Sequence, residues 1–130
     1  MESRIQQAFE KKTSGKYNCA QAVACTYCDI VGMDEETMRD VTNAFGVGMG
    51  NMEGTCGALV GAGIILGMKT HDRAKAMAAM KGVMTKFKQR NQSTICNELK
   101  GIKTRCPLRQ CNDCVADAAE FLENAISEMD

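Results

Sequence analysis

The apolar residues of the chain recur at helical spacing. One stripe steps by three, four and three residues and comprises Met77, Met80, Met84 and Phe87. A second stripe comprises Val115, Ala118, Leu122, Ala125 and Met129. Such spacing places side chains on one face of an α-helix, and no segment shows the strict alternation of a half-buried strand. The pattern therefore predicts an all-α protein.

Helical segments separated by short links run through the whole chain. The predicted helices span residues 3–12, 18–31, 34–45, 55–67, 72–90, 94–100 and 109–128. No linker rich in proline or serine divides them, and no internal repeat is visible. We therefore expect one compact domain over residues 1–130, built as a bundle of about six or seven helices.

Glycines are concentrated before and within the predicted fourth helix. Residues 46–54 read GVGMGNMEG and predict a loop with unusual backbone angles, in which Met49 and Met52 could line a nearby site. Four more glycines follow: Gly57, Gly61, Gly63 and Gly67. Glycine weakens an isolated helix, but it lets neighbouring helices approach closely. This helix is accordingly predicted to lie at the centre of the bundle.

Composition and charge exclude several classes of function. The 130 residues are 45% hydrophobic, enough for a single core, and 16 basic residues balance 16 acidic ones. A net charge of zero argues against nucleic acid as a partner. The N-terminus lacks the apolar run of a signal peptide, and the longest apolar stretch, residues 57–68, is too short to cross a bilayer. We expect a soluble cytoplasmic protein with no membrane insertion.

Eight cysteines are many for a domain that can fold by packing alone. In a reducing cytosol a disulfide framework is not expected, so reactivity or metal binding explains them better. Helical faces separate the cysteines of the second helix: Cys19 shares the apolar face with Val23, whereas Cys25 and Cys28 fall on the polar face and are predicted to point outward. In the last helix, Cys111 lies within the apolar stripe and Cys114 at its edge.

Four cysteines lie close to predicted helix starts. Asn18 precedes Cys19, Thr55 precedes Cys56, Thr94 lies shortly before Cys96, and Pro107 lies before Cys111. Asparagine and threonine are good N-caps, and proline suits the first turn. Unpaired amides and the positive end of the helix dipole stabilise a thiolate, so we expect the pKa of Cys56 in particular to be lowered.

These positions resemble a known family of redox-active proteins, labelled C_GCAxxG_C_C. The resemblance extends over nearly the whole chain and rests on Asn18 to Val23 (NCAQAV), Phe45 to Gly50, Gly54 to Gly61 (GTCGALVG), Ile95 to Leu99 (ICNEL), and Cys111 with Val115. It implies that the family cysteines are Cys19, Cys56, Cys96 and Cys111 and that their role is redox.

Four further cysteines depart from the family pattern: Cys25, Cys28, Cys106 and Cys114. They create two CxxC motifs. Cys25 and Cys28 lie in the middle of a helix, which suits surface cysteines without a role better than a redox dithiol or half a zinc site. Cys111 and Cys114 open a helix and are more credible as a reactive pair.

The leading hypothesis is thiol redox chemistry of the kind carried out by a thiol–disulfide oxidoreductase. Cys56 would attack a disulfide or accept oxidation, and Cys19 or Cys111 would resolve it, with a redox partner protein or a small thiol or disulfide as substrate. The alternative is a metal-binding protein in which Cys19, Cys56, Cys96 and Cys111 ligate an iron–sulfur cluster or zinc. An inert helical interaction module is a third interpretation. No nucleotide-binding loop, haem-attachment motif or Ser/His/Asp set is present.

Overall fold

Seven α-helices account for most of residues 1–129, the part of the chain that the computed structural model describes. They are α1 (Ile5–Thr13), α2 (Cys19–Tyr27), α3 (Glu35–Thr42), α4 (Gly57–Thr70), α5 (Arg73–Asn91), α6 (Cys96–Lys100) and α7 (Cys111–Met129). A 3₁₀ turn at Cys28–Val31 continues α2, and a π turn at Gly48–Met52 lies in the glycine-rich loop. The predicted all-α fold is confirmed, and each predicted helix overlaps an observed one.

Of the three residues predicted as N-caps, only Asn18 caps its helix. Asn18 forms a complete capping box with Gln21: its side chain accepts from the Gln21 amide at 2.8 Å, and the Gln21 side chain accepts from the Asn18 amide at 2.9 Å. This confirms Asn18 as an N-cap. Thr55 and Thr94 are not caps, because Cys56 and Ile95 themselves occupy the N-cap positions of α4 and α6.

Helix α2 lies at the centre of the bundle, in contact with α1, α3, α4 and α7. All nine of its residues are buried. The predicted outward orientation of Cys25 and Cys28 is therefore wrong: they are 7% and 5% exposed, against 5% for Cys19. A helix covered on every side has no solvent face, and Gln21 on its polar side is satisfied by the Arg39 carbonyl and the Asn43 side chain.

The close packing of α2 against α4 depends on two glycines. A Cβ atom at Gly61 would lie 2.5 Å from the Ala20 carbonyl oxygen, and one at Gly57 would lie 2.4 Å from Cys19 Sγ. By contrast, a Cβ at Gly67 would meet no atom within 4 Å. The predicted close approach thus holds at Gly57 and Gly61, where only a hydrogen fits between the helices.

Helix α5 packs on α4 and α7 mainly through its second half, where Val83, Phe87 and Asn91 are buried. Met80 and Met84 pack partly against the core, but Met77, which the helical spacing places on the same face, is 66% exposed. Met77 lies in the first half of α5, which contributes no buried residue. Met129, at the end of α7, is also exposed.

A buried carboxylate ties α7 to α5. Asp117 is almost fully buried and accepts hydrogen bonds from Arg90, Asn91 and Arg109. These bonds fix the first turns of α7. None of the helices within residues 1–129 is both long and apolar enough to cross a membrane.

Candidate functional site: a pocket of five cysteines

An isolated backbone bridge brings the starts of two helices together. Thr55 and Ile95 form an isolated antiparallel bridge, in which the Cys56 amide donates to the Thr94 carbonyl at 2.8 Å and the Cys96 amide donates to the Gly54 carbonyl at 3.0 Å. Each bridged residue is followed at once by a cysteine. Cys56 and Cys96, forty residues apart in sequence, therefore begin α4 and α6 side by side.

The glycine-rich loop packs against this bridge. Gly48 has a φ of 54°, and a Cβ there would lie 2.4 Å from the Cβ of Cys96. Val47, also with positive φ, faces the cysteines, whereas Met49 extends into solvent. The loop thus contributes backbone and Val47 to the site.

Five cysteines line one small cavity of about 80 Å³ where α2, α4, α6 and α7 begin: Cys19, Cys56, Cys96, Cys111 and Cys114. The remaining lining residues are Lys12, Asn18, Val47, Gly57, Leu99, Lys100 and Arg109. The four cysteines selected from the sequence are therefore brought to one place. Three of its lining residues are basic, and none is acidic.

Cys19 and Cys111 form the first of two sulfur pairs. The Cys111 thiol donates a hydrogen bond to the Cys19 sulfur, and this bond is the main reason that the pKa of Cys19 is lowered to about 6. The Val47 and Ala20 amides and the charge of Lys12 lower the pKa further, against the opposing effect of burial. The same bond raises the pKa of Cys111, which keeps its proton.

Cys56 and Cys114 form the second pair in the same way. The Cys114 thiol donates to the Cys56 sulfur and lowers the pKa of Cys56, with help from the Ala58 and Leu59 amides at the start of α4. Burial and the nearby charge of Cys19 oppose the shift. The pKa of Cys114 is raised by the same hydrogen bond. The predicted direction for Cys56 agrees with this geometry, but the leading contribution comes from a thiol rather than from Thr55.

Cys96 differs from the other four cysteines of the pocket because burial, and not a neighbouring thiol, has the largest effect on its pKa. Its pKa is raised, chiefly by burial, and the charge of Lys100 only partly offsets this. Cys96 is therefore a neutral thiol at neutral pH, placed against the loop at Gly48.

The remaining cysteines lie outside the pocket. Burial raises the pKa of Cys25 to about 11, and Cys28 donates to the Cys25 carbonyl. Both therefore act as small core residues. Cys106 is exposed in the link before α7.

The site residue that the sequence analysis left out of its main set is Cys114. It was placed at the edge of the apolar stripe, yet it is only 2% exposed and lines the pocket. Its three-residue spacing from Cys111 at the start of a helix was the available signal, because that spacing puts both sulfurs on one side of α7.

The five sulfurs are also the donors that zinc or an iron–sulfur cluster would use. Within residues 1–129, no three side chains of histidine, cysteine, aspartate or glutamate are arranged as a metal-binding group. What the geometry does provide is five cysteine side chains around one small cavity, in which Cys19 neighbours Cys111 and Cys56 neighbours Cys114.

The family model described as "Putative redox-active protein (C_GCAxxG_C_C)" matches residues 17–125, which include all five cysteines of the pocket. No curated protein and no solved structure matches the chain significantly.

Proposed function

Because the chain belongs to the C_GCAxxG_C_C family, whose name indicates redox activity, we propose that it is a thiol–disulfide redox protein that reacts first at Cys19 and Cys111. The observation that carries the proposal is that Cys19 and Cys111, at the starts of α2 and α7, line the same small cavity as neighbours. A thiolate beside a protonated thiol is the reduced form of a reactive dithiol.

The reaction uses the two sulfurs in turn. The Cys19 thiolate attacks a substrate disulfide, a bond forms between Cys19 and one substrate sulfur, and the other substrate sulfur leaves as a thiolate. Cys111 then loses its proton to that thiolate and attacks Cys19, which releases the second substrate sulfur as a thiolate that takes its proton from water. One substrate disulfide is reduced to two thiols, and the Cys19–Cys111 pair is oxidised to a disulfide.

The surroundings of Cys19 favour the first step. The Asn18 capping box fixes the start of α2, and the Val47 and Ala20 amides and Lys12 stabilise the negative charge. A thiol with a pKa near the ambient pH is close to the optimum for attack, because its thiolate is abundant and still nucleophilic. These groups support Cys19 as the attacking cysteine.

Access determines which partners fit. Cys111 is the only partly exposed cysteine among the five that line the pocket, and the basic residues Lys12, Lys100 and Arg109 line the same cavity. We infer that the substrate is a small disulfide or a disulfide exposed on a partner protein. We propose the cytoplasm as the site of action, because a chain with eight cysteines that can fold by packing alone suits a reducing compartment.

Metal binding by Cys19, Cys56, Cys96 and Cys111 is the competing function, and one experiment separates the two. The protein is purified without oxygen, its iron, sulfide and zinc are measured, and it is then equilibrated with mixtures of reduced and oxidised glutathione. We expect metal-free protein that forms the Cys19–Cys111 disulfide reversibly.

Stoichiometric iron with sulfide, or one tightly held zinc released only when thiols are blocked, would favour the metal function instead. Metal-free protein in which neither Cys19 nor Cys111 oxidises would leave only the inert interaction module.

A further inference from the structure

Cys114 is not among the four cysteines that the family resemblance implies, yet it has the same relation to Cys56 that Cys111 has to Cys19. It is 2% exposed and lines the same cavity as Cys56. The neighbouring Cys114 thiol is also the main cause of the lowered pKa of Cys56. Since α7 begins at Cys111, Cys114 follows one turn later on the same side of the helix. One helix therefore presents two thiols to two sulfurs held by two other helix starts.

We propose that Cys114 is a catalytic cysteine that forms a second, inner redox pair with Cys56, so that the pocket stores two disulfides. The inference rests on the proposed function of the Cys19–Cys111 pair and extends it from one exchanged electron pair to two.

The order of the two pairs follows from burial. Cys19 and Cys56 are equally buried, at 5% exposed, but Cys111 is partly exposed whereas Cys114 is only 2% exposed. A substrate disulfide therefore meets the outer pair, Cys19 and Cys111, first. Gly57 connects the pairs in space, because it directly follows Cys56 and its backbone lies against the Cys19 sulfur.

Oxidation passes inward by disulfide exchange within the protein. The Cys56 thiolate attacks Cys19 in the outer disulfide, a Cys56–Cys19 bond forms, and Cys111 leaves as a thiolate. Cys114 transfers its proton to Cys111 and attacks Cys56, which forms the Cys56–Cys114 disulfide and releases Cys19 as a thiolate. The outer pair is then reduced and can accept oxidation from a second substrate disulfide.

The protonation of Cys114 depends on the charge of Cys56. While Cys56 is a thiolate, their hydrogen bond keeps Cys114 protonated. Once Cys56 is bound to Cys19, it carries no charge and no longer accepts that hydrogen bond. Cys114 then ionises more readily, which times its attack to the mixed disulfide.

The test counts and maps disulfides in the full chain. Cys106→Ser serves as the parent, because it removes the one exposed cysteine. The reduced parent is oxidised stepwise with glutathione disulfide under nitrogen, quenched in acid, alkylated, and digested for mass spectrometry. We expect two protein disulfides, Cys19–Cys111 and Cys56–Cys114.

Variants of the parent show whether Cys114 itself is the disulfide partner of Cys56 or whether any cysteine substitution changes the number of disulfides. Cys114→Ala should form only the Cys19–Cys111 disulfide and take up half as many oxidising equivalents. Cys25→Ala, which removes a buried cysteine outside the pocket, should still form both. Far-ultraviolet circular dichroism of each variant checks the fold, and the map of the parent stands even if a variant does not fold.

The outcomes distinguish this inference from the proposed function. A parent that forms Cys19–Cys111 and leaves Cys56 and Cys114 alkylatable at full oxidation overturns the second pair alone. A disulfide from Cys56 to Cys96 in place of Cys114 also overturns it. A parent that forms neither disulfide overturns both proposals.

Discussion

The sulfur of Cys19 lies against the backbone of Gly57. A Cβ atom at residue 57 would lie 2.4 Å from Cys19 Sγ and 2.5 Å from the Phe45 carbonyl oxygen. Because Gly57 directly follows Cys56, this contact joins the starts of α2 and α4 at the point where the two sulfur pairs meet. The GTCGALVG segment therefore serves the site through a glycine as well as through a cysteine.

Gly57→Ala should disturb both packing and chemistry. The added methyl group must displace the Cys19 sulfur or the Phe45 backbone, and overpacking of this kind costs about 1–3 kcal/mol of unfolding free energy. We expect that loss in urea denaturation, together with a changed alkylation rate at Cys19.

Gly67→Ala is the matched control, because it makes the same substitution in the same helix with no atom within 4 Å. Alanine should stabilise α4 there by up to about 1 kcal/mol. Equal effects of the two substitutions would show that the contact of Gly57 with Cys19 is unimportant.

The hydrogen bond from Cys111 should control the acidity of Cys19. Cys111→Ala removes the donor, so the pKa of Cys19 should rise from about 6 toward the ordinary value for cysteine. Cys111→Ser supplies a hydroxyl donor and should keep most of the lowering. The alkylation rate of Cys19, followed by peptide mass spectrometry across pH, measures the difference.

Cys25 is an internal control in the same digest, because burial raises its pKa to about 11. If alanine and serine at position 111 leave the pKa of Cys19 equally low, the hydrogen bond is not its main cause.

Stability should increase with pH between about 6 and 9. The folded Cys19 is deprotonated above about 6, while the unfolded cysteine keeps its proton to near 9, so the unfolded chain binds one more proton in this window. The stabilisation from Cys19 is complete above the pKa of cysteine in the unfolded chain, and it is lost as the pH falls through about 6, the pKa of folded Cys19. One proton corresponds to at most about 1.4 kcal/mol per pH unit.

Urea denaturation at several pH values under reducing conditions tests this linkage. Cys19→Ser should have a smaller slope, with the remainder coming from Cys56, whose pKa is also lowered. An unchanged slope in that variant would mean that Cys19 does not ionise differently in the folded state.

Asp117→Asn should loosen the helix that carries Cys111 and Cys114. Asp117 has a side chain only 4% exposed and accepts from Arg90, Arg109 and Asn91, so neutralising it leaves the arginine charges poorly compensated. Removing one partner of a buried ion pair costs about 3–5 kcal/mol, an upper estimate here because both arginines are more than a third exposed.

Glu120→Gln is its control, since that carboxylate also pairs with Arg90 but is 39% exposed. Its effect should stay below about 1 kcal/mol. A loss at Asp117 no larger than at Glu120 would argue against the buried network as the anchor of α7.

The predictable part of the site depended on local signals. Asn18 and Gln21 are spaced as a capping box, so the start of α2 at Cys19 could be identified from sequence. The convergence of Cys19, Cys56, Cys96 and Cys111 followed from the family resemblance and their nearness to helix starts. Neither signal showed which sulfurs pair.

The features that the sequence predicted wrongly or did not predict all depend on tertiary contacts. Cys25 and Cys28 lie on the polar side of α2 by periodicity, but neighbouring elements cover that side as well. The Thr55–Ile95 bridge joins residues forty positions apart, so helix propensity cannot reveal it. Cys114 belongs to the pocket because of how α7 packs, which the Asp117 network sets.

The central claim is that Cys19 is the attacking thiolate, and a trapped intermediate tests it most directly. The variant carries Cys56→Ser, Cys106→Ser and Cys111→Ser. Cys111 and Cys56, the two cysteines proposed to attack Cys19, are then unable to displace a substrate bound to it, and the exposed Cys106 is removed. Brief exposure to glutathione disulfide at pH 7, acid quenching and peptide mapping then locate the mixed disulfide. The account predicts glutathione on Cys19, formed faster than on Cys25, Cys28, Cys96 or Cys114. Glutathione on one of those four cysteines with Cys19 still free would contradict it.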